Sequence, residues 1–240
     1  MTPKTQLIVA LDVDTKEKAL SLVEKLKAEV EIFKIGSELF TSCGPDIVTA
    51  VKENGCGIFL DLKFHDIPNT VAKAAARAVR LGVSILNVHA LGGYDMMSKC
   101  AQAVATEAKA LKIAKPKLIA VTVLTSMDEN SLKKIGINDT MEKQVLKLAK
   151  LAQDASLDGV VASPSEVKLI RTEMAEEFII VTPGVRPEWA VANDQKRIAT
   201  PKEAVLDGAT YIVVGRPIVE APDPLAAAKR ILEEMNPSLS

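Results

Sequence analysis

GIFLDLKFHDIPNTVAKAAARAVRLGVSILNVHA, residues 57–90, decides the fold. It opens with the β-branched and apolar run GIFLDLK (57–63) and turns at a proline. TVAKAAARAVRLG (70–82) follows, with its apolar residues on one helix face, and VSILNVHA (83–90) is a second apolar run. Strand, helix, strand is the unit of a parallel sheet. The same alternation extends outward in both directions. Strand-like runs stand at QLIVALD (6–12), EIFKIG (31–36), KLIAVTVLT (117–125), DGVVAS (158–163), FIIVTPG (178–184) and TYIVVG (210–215). Helical patterns such as KEKALSLVEKLKAEV and PLAAAKRILEEM lie between or after them. Eight such units in 240 residues predict one α/β domain, a single (β/α)8 TIM barrel spanning 1–240. A doubly wound sheet would carry a glycine-rich turn after its first strand, and that turn here reads DVDTKE. SMDENSLKKIGINDTM reads as a charged connection with little helical pattern. RPEWAVANDQKRIAT reads as a long loop of the kind that binds or covers a ligand.

The composition excludes several function classes. A net charge of −1 and a pI near 6.2 give no basic field for nucleic acid or an anionic membrane. Aromatic residues are only 3%, too few for base-stacking platforms. The three cysteines, Cys43, Cys56 and Cys100, lack CxxC spacing and read as reduced small hydrophobes. A charged residue follows the start too soon for a signal peptide, and no apolar run reaches the roughly 20 residues of a membrane helix. These features point to a soluble, cytoplasmic protein.

The charges of the opening stretch then need a reason. Side chains alternate along a strand, so Phe59, Asp61 and Lys63 share one face. Asp12 ends the first run and Lys34 lies near the end of the second. All four can point inward at the C-terminal end of a barrel, where active sites sit. Any one of them could be a solvated strand end or a structural ion pair. Four together make a catalytic cluster the better reading, because uncompensated burial of charge is costly. Asp66 has a structural alternative as N-cap of the next helix, with Pro68 in its first turn. Ile67 and Thr70 are unremarkable alone. His65 and His89 lack zinc-ligand spacing and read as hydrogen-bonding residues, and Asn87 and His89 end a strand that can reach the site. At the other side of the barrel, TPGVRP (182–187) and VGRP (214–217) follow the seventh and eighth strands, the usual phosphate corner. Gly184 and Gly215 allow close backbone approach, and Arg216 offers a forked donor.

Together these features resemble the orotidine 5′-monophosphate decarboxylases. FLDLKFHDIPNTV is similar to that family's Asp-x-Lys-x-x-Asp signature running into Ile-Pro-x-Thr. ALDVD, FKIG, AVTVLTS, VTPGVRP, DQKR and VGRPI follow in family order over nearly the whole chain. The signature is shared with magnesium-dependent barrels acting on sugar phosphates, the 3-keto-gulonate-6-phosphate decarboxylases and hexulose-phosphate synthases. TPGVRP followed by NDQKR favours the nucleotide enzyme. The resemblance implies a lyase that forms uridine 5′-monophosphate without metal or cofactor, in pyrimidine biosynthesis. It implies Lys63 as proton donor and Lys34, Asp61, Lys63 and Asp66 as the charged network. Asp12 and Lys34 would contact the ribose and Thr125 the pyrimidine, while Gln195, Gly215 and Arg216 would hold the phosphate with Arg186 nearby. It further implies a homodimer with shared sites, in which Asp66 and Thr70 reach across from the partner and Ile67 is also a substrate-binding position.

Overall fold

The computed structural model describes residues 5–190 and 199–236. β1 (Gln6–Ala10) leads through α1 (Lys16–Leu26) to β2 (Ile32–Gly36). α2 (Ser37–Cys43) and α3 (Asp46–Lys52) precede β3 (Gly57–Phe64), and α4 (Pro68–Leu81) leads to β4 (Ile85–His89). α5 (Gly93–Leu111) precedes β5 (Lys117–Val121), and α6 (Glu129–Lys134) and α7 (Met141–Asp154) precede β6 (Gly159–Val161). α8 (Val167–Glu173), β7 (Ile179–Pro183), α9 (Pro201–Leu206), β8 (Tyr211–Val214), α10 (Arg216–Val219) and α11 (Pro224–Glu234) complete the order. The strands are parallel, and β8 pairs back onto β1, closing the barrel of the α/β prediction.

Alternation along the strands builds two cores. Ile8, Phe59, Ile85, Ile119, Ile179 and Val213 fill the barrel interior. Their neighbours Leu7, Val9, Ile58, Leu60, Leu86, Leu118 and Ile180 face outward and pack with the buried helix stripes. Burying each such side chain contributes about 1.5–3 kcal/mol. α4 illustrates the helix side. Pro68 occupies its first turn, Val71, Ala72, Ala75, Ala78 and Val79 form one buried stripe, and Gly82 ends it at φ 76°. Cys56 and Cys100 are buried free thiols, and burial pushes the Cys100 thiol up to about 12.

The sequence boundaries move where the ladder ends. The apolar run 117–125 predicts a strand up to Thr125, but β5 stops at Val121. Its partner β6 has only three residues, and beyond Val121 both the amide and the hydroxyl of Thr122 donate to the Val161 carbonyl. Likewise β1 ends at Ala10, leaving Asp12 in the following loop. The charged connection after β5 holds α6, capped by the Asp128 carboxylate, which accepts from the Ser131 amide at 2.9 Å. Leu132 is the buried residue of that helix, so its apolar periodicity was too weak to read.

Candidate active site

The interior faces of the strands pass from apolar to charged as they approach the C-terminal end. Ala10 leads to Asp12, Ile32 to Lys34, Phe59 to Asp61, and Ile85 to Asn87. The register sets Ala10 beside Lys34 and Lys34 beside Phe59. A cavity of about 250 Å³ opens above this layer. Asp12, Lys34, Asp61 and Lys63 form one wall, while Thr125, Gly184, Arg186, Gly215 and Arg216 contribute to the rest.

The four charges form an alternating chain. Lys34 Nζ lies 3.0 Å from Asp12 Oδ1 and 3.5 Å from Asp61 Oδ2, and Lys63 Nζ lies 2.8 Å from Asp61 Oδ1. Lys34 and Asp61 are largely buried, a setting tolerable only because each charge meets its opposite. Asp61 Oδ1 also accepts from the Asn87 amide at 2.6 Å. Lys63 adopts a left-handed backbone with φ 50°, which for a side chain of this type costs about 1–3 kcal/mol. Strain of that kind persists where surrounding contacts hold it, often at functional sites. Gly215 faces Asp12, and a Cβ there would stand 3.0 Å from Asp12 Oδ2. Even alanine would crowd the carboxylate.

Of the residues anticipated from sequence, Asp12, Lys34, Asp61, Lys63, Thr125, Arg186, Gly215 and Arg216 line this one cavity. Asp66, Ile67 and Thr70 do not, and they are exposed on the β3–α4 connection and the start of α4. Gln195 lies outside the described residues. The capping alternative for Asp66 is not met. Ile67 is the N-cap of α4 without a side-chain bond, and Asp66 Oδ1 accepts from the adjacent Ile67 amide at 2.6 Å. Asp66 sits one residue too early, because the helix starts at Pro68. Among the described residues Asp66 makes no ion pair. The ends of the β7–α9 connection are tied together: Arg186 N–H donates to the Ala199 carbonyl at 2.9 Å. Trp189 is anchored on α11, donating to Glu234 at 3.1 Å under the Arg230 guanidinium.

The histidines depart from expectation. Their rings stack with centroids 5.3 Å apart, and His89 Nδ1 is buried without a hydrogen-bond partner. Burial foremost, then the neighbouring His65 and Lys63, holds the His89 imidazole below its ordinary 6.5. The unfolded chain therefore binds the proton more readily than the folded one. Stability from this group is complete above pH 6.5 and falls as pH drops through the folded value. Urea unfolding at pH 7.5 and 5.5 should show a lower midpoint at 5.5, with His89→Gln narrowing the gap; an unchanged gap would remove His89 as its source.

Comparison with known proteins places this geometry. The pattern defining the Orotidine 5'-phosphate decarboxylase / HUMPS family matches residues 5–231. An orotidine 5'-phosphate decarboxylase of Syntrophotalea carbinolica is 52% identical over 236 residues, covering 98% of this chain and 97% of that protein. The crystal structure of orotidine 5'-phosphate decarboxylase from Lactobacillus acidophilus superposes with a TM-score of 0.86 at 41% identity, covering 97% of this chain and 99% of the other. The enzyme of that name from Pyrococcus horikoshii superposes with a TM-score of 0.77 at 28% identity, covering 96% and 99%. With a match over nearly its whole length and the charged chain of Asp12, Lys34, Asp61 and Lys63 at the mouth of its barrel, this chain belongs to the orotidine 5'-phosphate decarboxylase / HUMPS family.

Proposed function

We propose that the enzyme decarboxylates orotidine 5′-monophosphate to uridine 5′-monophosphate and CO2, the last step of de novo UMP synthesis in the cytoplasm. The observation that carries this reading is the alternating chain Asp12–Lys34–Asp61–Lys63 over a cavity that Arg186 and Arg216 also line. Loss of CO2 from C6 of the pyrimidine leaves an electron pair in the ring plane with no π system to spread it. The enzyme must meet that localised charge with a fixed positive one and then protonate it. The Lys63 ammonium does both, held by Asp61. Asp61 also crowds the substrate carboxylate. Asp12 and Lys34 hold the ribose hydroxyls, Thr125 the pyrimidine edge, and Gly215, Arg216 and Gln195 the phosphate, with Arg186 beside it.

One ion pair at about 4 Å contributes on the order of 4 kcal/mol at an effective dielectric of 20. Enzymes lower barriers by roughly 8–23 kcal/mol, so Lys63 alone is insufficient. The remainder comes from the preorganised chain of charges and from the binding energy of the phosphate. Arg216→Ala should therefore lower kcat/KM for the nucleotide by about 10- to 150-fold, the worth of one charged hydrogen bond, and hardly alter turnover of the phosphate-free nucleoside. Equal losses for both substrates would remove Arg216 from the phosphate.

The functional unit in this reading is a homodimer. Ile67 is 68% exposed on the loop after β3, and Leu91 and Tyr94 are exposed on the segment after β4. These exposed apolar side chains follow the C-terminal ends of β3 and β4, the end of the barrel that holds the site, and suit a second copy, whose Asp66, Ile67 and Thr70 would complete the neighbouring cavity. The reaction is metal-free, because both carboxylates of the cavity are committed to ammonium partners instead of forming an open ligand set. The test is spectrophotometric, following orotidylate absorbance in buffer containing EDTA. Undiminished turnover is expected. Activity abolished by the chelator and restored by magnesium, or appearing only with a sugar phosphate, would instead favour the metal-dependent chemistry.

A further inference from the structure

Resting on the decarboxylase reading, we propose that Asn87 is the positioning residue that sets the proton donor, by clamping both the backbone of Lys63 and the carboxylate of Asp61. The ladder between β3 and β4 shifts register at the site. Leu60 pairs with Leu86, but the next pairing is Phe64 with Val88, so four steps along β3 oppose two along β4. Residues 61–63 thus have no register partner on β4, and the chain there takes the left-handed turn at Lys63. A buried amide without a partner would be costly. Asn87 supplies the missing acceptor: Lys63 N–H donates to its Oδ1 at 2.8 Å. A main-chain amide can only donate, so the Asn87 oxygen must face Lys63 and its NH2 must face Asp61. The distance on that side is 2.6 Å, to the same Oδ1 that holds Lys63 Nζ.

One amide 1% exposed therefore fixes the two ends of the proton donor. It holds the Lys63 main chain in its turned conformation and the carboxylate that orients the ammonium. It contributes nothing to the cavity wall, so its effect passes through its neighbours. A carboxylate in this place would repel Asp61, and an apolar residue would leave both the Lys63 amide and the Asp61 oxygen short of a partner. Asparagine is the side chain of matching size that both donates and accepts.

The test uses Asn87→Leu, with Asn87→Ser as a second variant that keeps the site polar should the first not fold. Steady-state kinetics with orotidylate should show kcat reduced about 30-fold or more, with KM changed less than about threefold, because the loss falls on the transition state. The crystal structure of the variant should show Lys63 out of its left-handed conformation or its ammonium away from Asp61. Kcat within about threefold of the wild type would overturn the inference, as would parallel changes in kcat and KM that track only the loss of folded protein. An unmoved Lys63 and Asp61 would overturn it independently of the substrate, whereas a wild-type protein inert toward orotidylate would overturn the decarboxylase reading instead.

Discussion

Lys63→Ala should lower kcat by about 10³-fold or more while leaving the fold intact. A positioned acid contributes about 10²–10⁴-fold, and in the proposed mechanism the ammonium also stabilises charge before it delivers the proton, which moves the loss toward the upper end. The fold should survive because Lys63 is a third exposed and Asp61 keeps Lys34 and Asn87 as partners after the truncation. Steady-state turnover with a thermal melt alongside checks both statements. A kcat within tenfold of the wild type, worth only about 1.4 kcal/mol, would make the assignment of Lys63 wrong.

The second large effect is a recovery of activity. Lys63→Ala and Asp66→Ala homodimers should each be nearly inactive. If Asp66 serves the neighbouring subunit's site, mixed dimers hold one site with both defects and one with neither. Random pairing makes about half the dimers mixed, so about a quarter of all sites become intact and activity rises from near zero to roughly a quarter of wild type. If both residues served the same barrel, every site would keep one defect and mixing would restore nothing. The exposure of Asp66, and its bond to the Ile67 amide instead of to Lys63, motivate the crossing arrangement. Subunit exchange is verified separately by mixing differently tagged chains, so that a null result returns Asp66 to its own barrel.

What the sequence disclosed and what it hid have physical reasons. The two-residue period of a strand put Phe59, Asp61 and Lys63 on one face, and in the structure Phe59 does fill the barrel interior beneath Asp61. Asp12 was legible as the end of an apolar run and Lys34 as a charge near the end of another. The cavity therefore assembled largely as read, with Arg216 and Gly215 arriving from the eighth unit. The role of Asn87 was not legible, although its position near the site was. Its bond to Lys63 exists only because the β3–β4 register shifts after Leu60, and residue types do not encode a register shift. The left-handed turn was hidden for a related reason: glycine or asparagine would have announced it, and lysine does not. The capping alternative for Asp66 fails because Pro68 starts the helix one residue later than a capping carboxylate needs. The stacked histidines escaped because a ring pair 24 residues apart in sequence depends on β3 and β4 lying side by side.

In the proposed mechanism the Lys63 ammonium exchanges a proton with C6 of the pyrimidine. Run in reverse on the product, the same step should let the enzyme swap the C6 hydrogen of uridine 5′-monophosphate for deuterium. Incubating the nucleotide with enzyme in D2O and following the C6–H resonance isolates proton transfer from loss of CO2. Wild-type protein should erase the resonance in EDTA-containing buffer, and Lys63→Ala should leave it at the rate of nucleotide alone. Exchange by Lys63→Ala as fast as by wild type would mean that another group supplies the proton.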